Sequence, residues 1–437
     1  MEKVTSVMDL LMYGMVIVYL AVMFLVGLLS GRRIKNAEDF LLAGRRLGVV
    51  LLTFTLAATH FGGGMVMGEI EYGALHGVLG GMWYGIACGI GLFALSFVAP
   101  GMRELSLFTA PEYLERRYGG RFLRPYTAVL SLIALTGILA AQIISTQVLL
   151  SIFGVPPRMA SAIAAIIFIL YTFFGGMWAV TLTDFLQLII AAACTVAIAL
   201  VAPAPVATRA YVPLGPMEIV GIAVPTVMYT LIGQDFYQRV LSARDAKTAR
   251  VSSLIAAFIL IGVSFFPAFL GTKVSGDMTG FFSSLPSILG ALFVVGVLGA
   301  IMSTADSLLS AASSHIVVDL MPVKDDRKQL VYSRIFVLVI GVLALLISFV
   351  MPTIIDSIVF SYTIYTAAVF FPLVLGIVWS GGKRVAAEVS MVCSALFVVL
   401  SFVLAPSGVP LEITGAVVSL VIFVVLSAVL RRGEKDI

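Results

Sequence analysis

The sequence predicts an all-α polytopic membrane protein, and three observations carry that prediction. Hydrophobic residues make up 61% of the 437 and charged residues only 11%, against about 45–50% and about 25% in a soluble domain. The apolar residues fall in runs of about 20, the length at which a helix crosses the hydrocarbon layer. The basic residues gather in alternate gaps between those runs, as they do on one face of a membrane. The net charge of +4 is therefore read as a topology signal and implies no nucleic-acid partner. Cys88, Cys194 and Cys393 stand singly in apolar runs, without the spacing of a disulfide framework or a zinc site. The first run is too long for a cleaved leader and lacks a small-residue cleavage site, so it is expected to be a retained helix.

Taken in order, the chain offers thirteen spans of about 20 residues each, with limits near 8–30, 48–72, 78–100, 125–153, 159–178, 180–202, 217–235, 251–272, 285–320, 330–351, 356–379, 386–405 and 412–430. The ninth has room for a short outer helix before the long one. The fifth and sixth are separated only by Gly175-Gly176 and a polar stretch. With the N-terminus outside, Lys3, Arg158, Arg209 and Lys273 face outward and the rest of the 27 basic residues face inward, in clusters such as Arg45–Arg46, Arg103–Arg124, Arg239–Arg250 and Arg431–Lys435. An odd number of spans, with the C-terminus inside, satisfies every cluster.

Two spans read as broken. The second holds Gly62-Gly63-Gly64, and glycine costs a helix interior about 1 kcal/mol per residue relative to alanine. An unwound segment around His60–Gly64 is expected there. The seventh contains Gly221, Pro225 and Gly233, and Pro225 cannot donate a helical hydrogen bond. These spans lie five apart, and each opens a set of five, spans two to six and seven to eleven. Interrupted helices at corresponding positions point to an inverted-repeat transporter with its site near the midplane. Carbonyls freed at Ala57 to His60 must then face protein, water or ligand.

The ninth span is organised differently from the others. Its apolar run continues into Ala300-Ile-Met-Ser-Thr-Ala-Asp-Ser, which places a carboxylate and several hydroxyls at membrane depth. Ala300, Ser303, Thr304 and Ser307 share one helical face, with Asp306 on its flank. Small residues of this kind also serve close helix packing. Asp306 favours a working site, because an ionisable group inside a membrane is costly. Clustered oxygens suit a hard cation such as sodium, and the Ala57–His60 carbonyls packed against this face would outline a five-oxygen site.

The chain resembles the sodium:solute symporter family over essentially its whole length. The motifs that carry the resemblance are Gly175–Gln187 (GGMWAVTLTDFLQ), Ala300–Ser307 and Gln234–Arg244, supported by Asp39–Arg45 and Thr109–Arg117. The resemblance implies a LeuT-type fold of five plus five inverted helices, one helix before and two after. The whole chain, 1–437, would form one transporter domain: a peripheral first helix 8–30, a first repeat 48–202, a second repeat 217–379 and C-terminal helices 386–430. It further implies a main sodium site from the carbonyls of Ala57, His60 and Ala300 with the hydroxyls of Ser303 and Thr304. Asp184, Asp306 and Ser307 match a second sodium site of some members. Asp306 stands where some of those members have serine, so this site is either remodelled or a proton site.

Other residues are ambiguous on the sequence alone. Asp184 reads as a helix-start carboxylate near the favourable end of the dipole or, from the resemblance, as an ion-pathway residue. Glu69 lines a solute vestibule or is solvated at the outer end of span two. Tyr229 falls where sugar-carrying relatives keep a gating tyrosine, and a lone aromatic also serves packing. Gln142 and Gln234 are amides at membrane depth that contact solute or bridge helices, and Gly62 and Gly63 border the presumed solute site. The Arg239–Arg250 run is assigned no site, and no Lys or Arg is placed in the middle of a span.

The expected function is sodium-coupled symport of a small organic solute by alternating access, with sodium as the coupling ion and the lipid bilayer as surroundings. An amino acid such as proline, a sugar and a monocarboxylate all remain open as the solute, and no obligate protein partner is indicated. A proton-coupled carrier would use Asp184, Asp306 or Glu69. A sensor built on the same fold would carry an added signalling domain, and this sequence stops at Ile437, a few residues past the last span. An enzyme would need convergent catalytic groups, which the scattered His60, His76 and His315 do not offer.

Overall fold

The computed structural model describes residues 2–151, 155–202, 211–274, 281, 285–351, 354–404 and 410–433. Among these every long element is helical. Helix α1 (Glu2–Gly31) leads to a short α2 (Ala37–Leu42), whose N-terminus is capped by the Asn36 side chain accepting from Asp39 N. The interrupted span follows as α3 (Val49–His60) and α4 (Gly63–Glu104). Then come α5 (Ala110–Tyr118), α6 (Leu123–Ser151), α7 (Pro157–Val201), α8 (Pro216–Ile232), α9 (Gln234–Ser242) and α10 (Ala246–Thr272). The second half is completed by α11 (Ser287–Ser314), α12 (Asp326–Ser348) and α13 (Ile354–Val378), and α14 (Arg384–Leu404) and α15 (Leu411–Gly433) close the chain.

Helix α4 has 42 residues and would measure about 63 Å if straight, twice the bilayer core. It is a hairpin. Gly77 takes φ +73°, a backbone that side-chain-bearing residues rarely adopt. Gly81 lies against Gly73, and Gly85 donates its N–H to Glu69 Oε1 at 2.9 Å, pairs that close symmetrically on Gly77. Helix α7, 45 residues long, is broken in the same way at Gly176, φ +50°. The expected division between the fifth and sixth spans therefore sits at that glycine.

Ten described helices are long and apolar enough to cross a membrane, or eleven when α8 and α9, bent by 44°, count as one broken span. Dividing α4 at Gly77 supplies a twelfth, and the shorter apolar helix Pro157–Leu170 ahead of the Gly176 turn supplies a thirteenth. Every expected span is thus found as helix. The gap in the count arises because two pairs are joined without a loop. The short outer helix expected before α11 falls mostly outside the described residues, as do Arg209 and Lys435.

Packing relies on close backbone approach, as expected where lipid removes the hydrophobic drive between helices. A side chain at Gly73 would stand 2.2 Å from Ala268 O, and one at Gly271 would stand 2.2 Å from Ile70 O, so α4 and α10 touch backbone to backbone. Large apolar side chains such as Leu79, Phe97, Phe258 and Val350 are left on the outside, where a membrane would cover them. The basic loops meet at one end. Leu47 pairs with Ala243 in a single bridge, Arg45 donates to Leu107 O at 2.9 Å, and Arg103 donates to Ala243 O at 2.5 Å.

Candidate functional site

The break between α3 and α4 is narrower than expected. It covers Phe61 and Gly62 only, and Gly63 and Gly64 already belong to α4. Phe61 N–H caps Ala57 O at 3.0 Å, Gly62 N–H returns to His60 O at 2.8 Å, and Gln142 Oε1 from α6 accepts the Gly63 N–H at 3.1 Å. The glycines are needed for room as much as for unwinding. A side chain on Gly62 would stand 2.2 Å from Thr304 Oγ1, and one on Gly63 would stand 2.6 Å from Ser145.

Into this break pack the hydroxyls of α11. Ser303 Oγ lies 3.3 Å from Ala58 O, and Thr304 Oγ1 lies 3.3 Å from Thr59 O and 3.4 Å from Ala300 O. The end of α3 and the Ala300–Ser307 face thus meet, as the spacing of hydroxyls anticipated. Ala57, His60, Ala300, Ser303 and Thr304 are all buried. The His60 ring takes a separate role, with Nε2 3.0 Å from Thr230 Oγ1 and the ring stacked obliquely on Phe236 at 4.4 Å.

Asp184, Asp306 and Ser307 are also brought together, beside a residue that the sequence reading set aside. Arg239, read there as part of a basic surface run, is wholly buried. Its Nη2 meets Asp184 Oδ2 at 3.1 Å and bonds Ser307 Oγ. Its Nε donates to Thr55 Oγ1 at 2.9 Å and Thr55 O at 3.1 Å, and its Nη1 donates to Asp235 O at 2.9 Å. The guanidinium thereby joins α3, α7, α9 and α11. Asp184 also accepts from Ser303 Oγ at 2.6 Å and from Thr55 Oγ1. Asp306 is less well served: Ser307 Oγ lies 3.4 Å from its Oδ1, and Oδ2 has no hydrogen-bond partner. The reading of the Arg239–Arg250 run as carrying no site is corrected here for Arg239. Arg239 escaped because α9, the short helix beyond the Gly233 bend, is buried on every side, which a run of nearby arginines does not suggest.

Next to the break lies a cavity lined by His60, Gly62, Gln142, Tyr229, Asp235 and Thr304 among others. Tyr229 OH donates to Asp235 Oδ1 at 3.1 Å, and its ring stacks on Tyr362 at 5.1 Å. A second cavity, carrying Glu69, shares Gly64, Tyr84, Thr226, Ile358 and Tyr362 with the first. Of the residues expected around solute, Gly62, Gln142 and Tyr229 line the inner cavity, Glu69 lines the outer one, and Gly63 bonds Gln142 directly behind. Gln234 lines neither. Its side chain accepts from Ala110 N at 2.9 Å and donates to Phe108 O at 3.2 Å, fastening α9 to the start of α5. Asp235 was missed beside it, because one step along a helix turns a side chain by about 100°.

The sequence profile of the Sodium:solute symporter family matches residues 40–212 and 281–396, more than half of the chain. The chain belongs to the sodium:solute symporter family. It is therefore a sodium-coupled solute symporter, a multi-pass membrane transporter and not an enzyme. The osmoregulated proline transporter OpuE of Bacillus subtilis is 26% identical over 469 residues, covering 96% of this chain and 94% of the relative. A sodium/proline symporter of Staphylococcus aureus is 27% identical over 442 residues, covering 89% and 85%. Among solved structures, a Na+-coupled sialic acid symporter in a substrate-bound outward-open state superposes with a TM-score of 0.80 at 18% identity, over 96% of this chain and 97% of that one. Mhp1, a nucleobase-cation-symport-1 family transporter in a closed conformation, gives 0.59 at 14% identity, over 91% and 96%. These likenesses identify the LeuT-type fold.

Proposed function

We propose that this symporter binds sodium between the end of α3 and the α11 face, through the carbonyls of Ala57, His60 and Ala300 and the hydroxyls of Ser303 and Thr304. What supports the reading is the packing of Ser303 and Thr304 against the end of α3, 3.3 Å from the Ala58 and Thr59 carbonyls that lie between the two proposed carbonyl ligands; Ala57 O and His60 O each also accept one backbone N–H. Hard oxygens gathered at a helix break are the ligand type a sodium ion takes at such sites. Of Asp184, Asp306 and Ser307, expected at a second sodium or proton site, Asp184 and Ser307 already hold the Arg239 guanidinium, so the group supports a proton site at Asp306, whose Oδ2 has no hydrogen-bond partner.

The solute is a small amino or imino acid of the proline class, bound in the cavity beside the break. Its support is the relatives that are proline transporters and a cavity beside the break lined by polar groups of Gln142, Tyr229, Asp235 and Thr304. The chain sits in the cell membrane with the N-terminus outside and the C-terminus inside, supported by the basic loops that meet at one end. A four-helix bundle would rock against a scaffold of the other helices, and sodium shifts that equilibrium only by its differential affinity for the two arrangements.

The test is thermal unfolding of the purified protein in sodium and in potassium at equal ionic strength. Sodium at about ten times its dissociation constant raises stability by about 1.4 kcal/mol, and Ser303→Ala or Thr304→Ala abolishes the increment. An increment that survives both substitutions places sodium elsewhere.

A further inference from the structure

We propose that the solute is recognised through a positively charged nitrogen held against the Asp235 carboxylate, with Glu69 as the outer carboxylate of the same passage. The inference rests on the transport reading above and specifies the charge of what is carried.

The two cavities share five wall residues and form one passage, with Asp235 lining the inner part and Glu69 the outer. No Lys or Arg lines either part. Asp235 is 2% exposed, and its carboxylate receives the Tyr229 hydroxyl at 3.1 Å. Arg239 makes no direct ion pair with this carboxylate, and its charge acts on it only across a distance. That guanidinium is spent on Asp184, Ser307 and Thr55, and it meets residue 235 only at the backbone carbonyl. Glu69 is 1% exposed; Oε1 takes the Gly85 N–H, and Oε2 has no hydrogen-bond partner. A buried carboxylate oxygen without a donor is costly, and a bound solute that brings N–H donors removes the cost.

The charge balance points the same way. Asp184, Asp235, Asp306 and Glu69 are buried around the break, facing one buried guanidinium. Carboxylates outnumber the guanidinium, so the arrangement favours cationic groups, and a solute carrying only negative charge adds to the excess. The walls suit a cation as well. Tyr229 and Tyr362 stack at 5.1 Å, and Tyr229 meets Phe236 edge-on at 6.2 Å, giving aromatic surface of the kind that attracts ammonium groups. A zwitterion's carboxylate has its own place. Gly64 and Met65 line the inner cavity in the first turn of α4, where backbone N–H groups lack intrahelical acceptors.

The experiment uses the full chain in detergent with saturating sodium and reads the additional thermal shift caused by three matched sets of probes. These are amino and imino acids (L-proline, L-alanine, L-serine), the amines without the carboxylate (pyrrolidine, ethylamine) and the acids without the nitrogen (cyclopentanecarboxylate, propionate). Nitrogen-bearing probes shift the wild-type protein, and the nitrogen-free acids do not. Asp235→Asn weakens the nitrogen-bearing probes about tenfold or more and narrows their advantage over the acids, while sodium's own shift persists. The proposal is overturned if the acids shift the protein and the amino acids do not. It is equally overturned if no nitrogen-bearing probe shifts the wild type, or if Asp235→Asn binds them unchanged. Loss of the sodium shift in the wild type itself would instead count against the transport reading.

Discussion

At the residue scale the site is held together by one cation that is part of the chain. Arg239 and Asp184 are both fully buried at 3.1 Å, so removing either leaves the other charged in a low-dielectric interior. Arg239→Met is expected to cost about 3–5 kcal/mol. Adding Asp184→Asn should return a good part of that loss, as measured by thermal unfolding of the two single variants and the double variant. A double-variant loss equal to the sum of the two single losses would show that the pair is not coupled. The sequence made the acidic and hydroxyl side of this junction legible, because Asp184, Ser303, Thr304, Asp306 and Ser307 stand out in apolar runs. It hid the basic side, because Arg239 precedes Arg244, Lys247 and Arg250 and reads as the first of a solvated group. Asp235 was hidden for a related reason. Adjacent polar residues give no sign of which one faces a cavity, and the choice fell on Gln234.

At the element scale, breaks and caps position the site. The triple glycine and the Gly233 bend were legible as interruptions. The extent of unwinding was not, since tertiary contacts let Gly63 and Gly64 stay helical. The loop joining the α9 arm to α10 is fixed by Asp245, whose Oδ1 accepts the Thr248 N–H at 2.6 Å. The Thr248 N–H and hydroxyl, and then exposed Arg244, hold this carboxylate below the ordinary aspartate range. A depressed folded value means that the cap's contribution is present above the unfolded aspartate value and lost as the pH falls through the folded one. The difference in unfolding temperature between wild type and Asp245→Ala should therefore be constant at neutral pH and shrink below about pH 4. A difference that persists well below that range would assign the effect to something other than the cap.

At the scale of the whole molecule, the basic end is closed by a second buried network. Asp319 accepts from Arg124 Nε at 2.8 Å and Thr109 Oγ1 at 2.7 Å, and its other oxygen lies 2.8 Å from His315 Nδ1. Arg124 also reaches Glu115 at 2.9 Å, so α5, α6 and the tail of α11 are tied together. That tail, His315–Leu320, is a π-helical turn, a feature common at functional sites and invisible to apolar periodicity. Arg124 is partly exposed, which screens the pair. Arg124→Ala is expected to cost about 1–3 kcal/mol and to raise hydrogen exchange at residues 110–118 and 315–320, leaving the break at Phe61–Gly62 unchanged. Exchange that rises equally at both ends would mean that the latch is not local.

The Arg239–Asp184 pair also constrains how such a sequence can drift. A lineage that replaces the arginine first carries a stranded aspartate, and one that replaces the aspartate first carries a stranded guanidinium. Either intermediate is less stable than both its ancestor and its descendant. The two positions, 55 residues apart in the chain, therefore exchange together or stay as they are, so descendants of this protein should differ at both positions or at neither.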